Sequence, residues 1–220
     1  MNIGSAPKLS ANGMVTTVCW SMHNRIDFAY EGVIVSCGAT IEWLKNNLGL
    51  FNDSKETAAM AMAVENNGGV YLVPAFSGLG SPHWQMDRRA SLTGMSFSTQ
   101  KNHIVRAALE SIVYQIRDVV NAMEKDAGIA LQELNADGGI TANTFVMQFL
   151  ADLLQKKVAT IGMADVSALG AGLLAGLKIG LYPDLESLKK MKRSEQYFVP
   201  EREVEKEYRG WREAIGTPIP

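Results

Sequence analysis

The sequence predicts an α/β domain with a mixed sheet flanked by helices, and three observations carry that prediction. Two β-branched and aromatic segments near the start are joined by a short polar connection, as in a hairpin. Residues 102–128 carry a single apolar stripe at helical spacing. Across residues 131–182, strand-like and helix-like segments alternate, which implies right-handed crossovers onto a parallel portion of sheet.

Taken in order, GMVTTVCW (residues 13–20) and IDFAY (residues 26–30) are the hairpin strands, with SMHNR between them. After Gly32 the period changes. Val35, Ala39, Trp43 and Leu44 predict a helix over residues 33–48, with Gly38 inside it. A glycine inside a helix costs roughly 1 kcal/mol, so its presence suggests a close approach to the backbone. A second helix, SKETAAMAMAVEN, starts with Ser54 as N-cap and Glu56 in its first turn. The NNGG turn ends it and leads into the strand VYLVPAF, residues 70–76. Residues 77–99 hold too many glycines and prolines for a helix; they form a long loop with a short strand at residues 91–95.

In the long helix, Ile104, Ala108, Ile112, Ile116, Val119 and Met123 form the stripe. Arg106 and Glu110 form an i,i+4 ion pair, and Gly128 ends the helix. The alternation then reads LQELNA strand, TFVMQFLADLL helix, KKVATIG strand and SALGAGLLAGLKIGLY helix. A last helix packs through Val204, Tyr208 and Trp211.

Composition narrows the class. The chain has 220 residues, enough to bury a sizeable core, and is 47% hydrophobic and 20% charged, as a soluble globular protein would be. A formal net charge of -2 argues against a nucleic-acid partner. The basic run KKMKR, from Lys189 to Arg193, is flanked by Glu186 and Glu195 and reads as a solvated helix end. Cys19 and Cys37 and the three scattered histidines lack metal-ligand spacing. No signal peptide is visible, and the most apolar segment is too short to span a bilayer, so a cytoplasmic protein is expected.

Few residues invite chemistry. Gly138 and Gly139 lie where a strand's carboxyl end meets a helix, the edge at which open α/β sheets bind ligands. Without Cβ atoms they would let a flat ring or a phosphate rest on the peptide plane. Asn143 either caps the next helix or presents its carboxamide to a ligand, and spacing alone leaves both open. Asp137 orients the turn or touches a ligand. Gly170, Gly172, Gly176 and Gly180 form a small-residue face, for close packing or for a hinge. His83, in SPHW, is a lone histidine in a Pro/Gly loop and reads as structural.

The order of NGMVTTVCW, FAYEGVIVSCGATIEWLKNNLGL, GVYLVPAFSGLGSPHW, the segment from HIVRAALES to DGGITAN, and SALGAGLLAGLKIGLY closely resembles the C-terminal half of the FGGY carbohydrate kinases. Within that family the glycerol kinases are most similar. The resemblance implies an actin-like, ribonuclease-H-like fold of two lobes, with ATP and polyol in the cleft between them. The 220 residues would be the C-terminal, nucleotide-side lobe, without its first strand and with the N-terminal lobe outside the chain.

By the same resemblance, Gly138, Gly139 and Asn143 match the adenosine motif and Gly38 matches a glycine that approaches the nucleotide. Glu42 departs from the pattern, because glycerol kinases usually carry glutamine there. A carboxylate cannot donate as an amide does, and it faces phosphates unfavourably. The resemblance makes the residue 170–180 helix the segment connecting the lobes. It puts the phosphate loops, the polyol contacts, the catalytic aspartate and the Mg²⁺ ligands upstream of residue 1. No catalytic or metal-binding residue is therefore assigned within this chain, and the chain alone is expected not to turn over. The implied partners are ATP or ADP with Mg²⁺, a polyol such as glycerol, and either a second copy or the N-terminal lobe. Two other readings are a pentose or hexose kinase of the same family and a non-catalytic assembly module derived from a kinase lobe.

Overall fold

The structure, a computed structural model, describes residues 1–22, 25–161, 165–190 and 196–216. The hairpin connection containing His23, and most of the basic run at residues 189–193, lie outside the described residues. Strands β2 (Val15–Met22) and β3 (Arg25–Glu31) pair antiparallel as expected, and β1 (Asn2–Gly4) pairs antiparallel with the other edge of β3. Helices α1 (Gly38–Asn46) and α2 (Glu56–Met62) follow, and then an antiparallel pair, β4 (Tyr71–Val73) and β5 (Ser91–Thr93). Helix α3 (Lys101–Ala127) ends at Gly128, which adopts φ 71°. Next come β6 (Glu133–Ala136), α4 (Thr144–Leu154) and β7 (Lys157–Thr160), with β6 and β7 parallel as the alternation requires. Helices α5 (Val166–Lys178) and α6 (Leu185–Lys189), strand β8 (Gln196–Phe198) and helix α7 (Glu205–Ala214) complete the chain.

The fold is α/β, and its mixed sheet is the trio β6-β7-β8, with β8 antiparallel to β7. Among the described residues the early hairpin stands in a separate sheet of order β1-β3-β2. The core lies between helices: Leu109, Ile112 and Val113 of α3 meet Phe149 and Leu150 of α4, with Leu44 of α1 and Trp211 of α7 in the same cluster. Val204, Tyr208 and Trp211 are buried as predicted, and the Trp211 ring stacks 5.6 Å from that of Tyr114.

Several boundaries differ from the sequence reading for identifiable reasons. The first helix begins at Gly38 rather than near residue 33. The Val33 backbone is already committed to the long loop: its N–H donates to Ser81 Oγ at 3.1 Å and its carbonyl accepts from the Ser81 N–H at 2.9 Å. A Cβ on Gly80 would lie 2.1 Å from that carbonyl oxygen, so glycine is required for this close docking. Ser54 does not cap α2. The Glu56 carboxylate folds back onto the N–H groups of Asn52 and Asp53 instead, and the Ser54 carbonyl accepts from Thr57. Strand β4 stops at Val73 because Pro74 has no N–H to continue the ladder.

The glycine face of α5 is not a packing face among the described residues. Gly170 and Gly172 have no neighbour where a Cβ would stand, and only Gly176 is buried, against the Tyr182 ring. Gly180, at φ 77°, is the left-handed residue after the helix. The Leu181 N–H returns to the Gly176 carbonyl and the Gly180 N–H to that of Leu177, closing a Schellman motif.

The segment before β2 is latched onto the end of α3. Asp126 accepts from Ser10 Oγ, the Ala11 and Asn12 N–H groups and Asn12 Nδ2, while Lys8 Nζ donates to its carbonyl. Burial pushes the Asp126 carboxyl up, but hydrogen bonds from Ser10, Asn12 and the backbone outweigh it and hold the group below the usual carboxylate range.

Candidate functional site

The carboxyl end of β6 runs through Asp137 into Gly138, whose φ of 85° with ψ of 177° is a conformation essentially reserved for glycine. Its carbonyl accepts from the Thr141 N–H at 3.1 Å and from Thr141 Oγ1 at 2.8 Å, which closes a 3-10 turn over Gly139–Ala142. Asn143 then caps α4: Oδ1 accepts from the Val146 N–H at 3.1 Å, while Nδ2 donates to Thr57 Oγ1 at 3.0 Å. Because the cap demands an acceptor, the orientation of the carboxamide is fixed, with its nitrogen toward α2.

Facing this turn are the start of α1 and the first turn of α2. Helix α1 opens at Gly38 without a side-chain cap, so its positive N-terminal dipole is available to an anion. Gly38 is the first helical residue, and the cost of an interior glycine does not arise. Glu42, one turn later, is exposed and accepts from Asn46 Nδ2 at 3.3 Å.

Between these walls lies a cleft of about 660 Å³, within the size range of small-molecule sites. It is lined by all five residues singled out from the sequence as nucleotide contacts: Gly38, Glu42, Gly138, Gly139 and Asn143. At Gly38, Gly138 and Gly139 a Cβ would meet nothing within 4 Å, so the space each glycine leaves is open. Glycines at some other positions are required by backbone packing instead: at Gly94 a Cβ would collide with the Gly69 carbonyl at 1.9 Å. Ile41, Ala58, Leu109 and Ile140 give the cleft an apolar surface, and Lys55, Asp137 and Glu42 supply its charges.

Cys37, Lys55 and Thr57 also line the cleft, and sequence reasoning passed over all three. Burial pushes the Cys37 thiol up, which keeps it protonated and a poor nucleophile. Thr57 carried no signal in the sequence beyond being a polar residue in an alanine- and methionine-rich helix. His83 lies away from this cleft: its Nε2 donates to Asp118 Oδ2 at 3.0 Å, a carboxylate supplied by α3. Among the described residues no group of three or more His, Cys, Asp or Glu side chains is placed to hold a metal, and no helix is long and apolar enough to cross a membrane.

Comparison with known proteins identifies the family. The C-terminal domain of the FGGY family of carbohydrate kinases matches residues 1–179. Glycerol kinase from Francisella tularensis subsp. holarctica is 39% identical over 218 residues, 98% of this chain and 43% of that protein. Among solved structures, Plasmodium falciparum glycerol kinase with ADP superposes with a TM-score of 0.89 at 36% identity, covering 100% of this chain and 45% of that one. A ligand-bound xylulose kinase from Lactobacillus acidophilus shares the fold at 20% identity, with a TM-score of 0.77, over 97% of this chain and 42% of its own. The chain thus spans less than half the length of these relatives, and it has the actin-like ATPase fold of the sugar kinases. On the match of residues 1–179 and the likeness to both glycerol kinases, the chain belongs to the FGGY family of carbohydrate kinases.

Proposed function

We propose that this chain is the nucleotide-side lobe of an ATP-dependent polyol kinase, with glycerol as the phosphoryl acceptor. The observation that carries the reading is the cleft itself: Gly38, Gly138 and Gly139 leave open space around it, and Asn143 stands at its wall with one amide N–H that has no partner among the described residues. An adenine or ribose ring can lie against the bare peptide planes while that N–H donates to it. Phosphates would extend toward the N-terminus of α1, where the dipole favours negative charge. Phosphoryl transfer is mostly positioning and charge stabilisation, and we assign the Mg²⁺ ligands, the base and the polyol contacts to residues outside this chain, as the family resemblance implies.

Calorimetry with ADP on the purified chain tests the assignment. Asn143→Ala removes the free donor and the helix cap together, and about a tenfold loss of affinity is expected for a hydrogen bond of this kind. Equal affinity in the two proteins would sink the adenosine site.

The same titration examines Glu42. Its carboxylate stands one turn from Gly38, on the path we assign to the phosphates. Glu42→Gln removes that repulsion and restores an amide donor, so ADP should bind about 3- to 10-fold tighter. Unchanged or weaker binding would place Glu42 off the phosphate path.

The chain alone is expected to bind nucleotide without turnover. ATP-dependent formation of glycerol 3-phosphate by the purified 220 residues would overturn this division of labour. A second reading, an assembly module, draws on α5: Leu174 is 44% exposed and Ile179 and Leu181, just beyond the helix, are more exposed still. We take this apolar surface as the place where the other lobe packs, which favours the kinase reading over a non-catalytic module.

A further inference from the structure

We infer that Thr57 is a positioning residue for the nucleotide, acting through Asn143; the inference rests on the adenosine reading of the cleft. Thr57 is 1% exposed and sits in the first turn of α2, beside Asn143 at the end of the turn at residues 138–143, and both line the cleft. A hydroxyl has one proton to give, and here it goes to the Ser54 carbonyl at 2.6 Å. The lone pairs of Oγ1 are therefore left to accept, and Asn143 Nδ2 donates to them at 3.0 Å. The result is a directional relay, from Asn143 N–H to Thr57 O–H to the Ser54 carbonyl, in which each bond polarises the next.

The relay has two consequences. It fixes the second end of a carboxamide whose first end is already held by the Val146 N–H, so the one remaining amide donor has a single direction. It also ties the first turn of α2 to the N-cap of α4, and both line the cleft. A donor held in this way meets a ligand without losing rotamer freedom on binding, and that preorganisation contributes to affinity. Thr57 itself has no proton left for a ligand, so its effect on binding passes through Asn143.

Thr57→Val is close to isosteric and removes the hydroxyl, while the Ser54 carbonyl keeps the Thr57 backbone N–H as a donor. Calorimetry with ADP on the 220-residue chain should show about 3- to 10-fold weaker binding for Thr57→Val. Thr57→Ser retains the relay, and its affinity should stay within about twofold of the parent. In an Asn143→Ala background Thr57→Val should cost less than about twofold more, since the group it positions has gone. Denaturant unfolding of each variant, run in parallel, confirms that the titrated proteins are folded. Parent-like ADP binding by Thr57→Val overturns the inference, as does an equal loss in the Asn143→Ala background or a failure of Thr57→Ser to restore affinity. If Asn143→Ala weakens ADP while Thr57→Val does not, the positioning role alone fails; if Asn143→Ala has no effect, the adenosine site fails and this role with it.

Discussion

Replacing Arg106 with methionine is expected to destabilise the protein by about 3–5 kcal/mol, the range for breaking a buried ion pair by removing one partner. Arg106 Nε donates to Glu110 Oε1 at 2.8 Å, and Glu110 is 0% exposed. Nη1 of the same guanidinium donates to the carbonyls of Ala61, Val64 and Glu65, closing the C-terminal end of α2 against α3. Methionine fills much of the volume and satisfies none of these acceptors. Burial already pushes the Glu110 carboxyl up, and Arg106, Tyr114 and Asn67 restrain it. Without Arg106 it rises further. A carboxyl raised in the folded state favours folding below its unfolded value, near 4.3, and that contribution is lost as pH climbs through the folded value. The deficit of Arg106→Met should therefore be smaller at pH 5 than at pH 8. Adding Glu110→Gln removes the stranded charge and should recover part of the loss. Urea unfolding of the parent and the two variants at both pH values measures this, and a deficit below about 1 kcal/mol at pH 8 would show that the pair is not a structural fastener.

Spacing alone had located Arg106 and Glu110 as an i,i+4 pair, but not their burial, because what covers them is the end of α2 about 40 residues earlier. That contrast runs through the fold. Where one local period dominates, the elements were legible: α3, α4, the parallel pair β6 and β7, and the buried stripe of α7 all follow from residues near one another in sequence. Where a distant segment decides, they were not. The backbone of Val33 pairs with Ser81, and residues 33–37 stay outside the helix, with bends at 35–37, although their apolar spacing suits a helix. Strand β8 has only Phe198 buried, so no alternation marked it.

The candidate site divides in the same way. The turn at Gly138, Gly139 and Asn143 is written in adjacent residues, and its conformation demands glycine at residue 138. Gly38 and Glu42 join it only through tertiary folding, and no spacing rule connects them to that turn; the family resemblance did. Thr57 belongs to neither route. Its role depends on an oxygen atom meeting an amide 86 residues away in sequence, which only the folded chain displays.

Asp118 is the second position where a large loss is expected. Buried on α3, it accepts from the Tyr208 hydroxyl, from Trp211 Nε1 at 2.9 Å and from His83 Nε2 at 3.0 Å. One carboxylate thereby fastens α7 and the long loop of residues 77–99 to the central helix. Burial, and then the Asp118 charge beside it, pushes the Tyr208 hydroxyl well up, so tyrosine remains the donor at neutral pH. Asp118→Ala strands two buried donors, Tyr208 and Trp211, and the partly exposed His83, and should cost about 3–5 kcal/mol, each unmet buried donor contributing about 1–3 kcal/mol before relaxation. His83→Gln removes a single, partly exposed partner and should cost about 1 kcal/mol. The network is remote from the cleft, whose lining includes none of these four side chains. At a temperature where Asp118→Ala is still folded, its affinity for ADP should therefore stay within about twofold of the parent. A loss of stability below about 1 kcal/mol would mean that apolar packing of Tyr208 and Trp211, rather than the carboxylate, holds α7 in place.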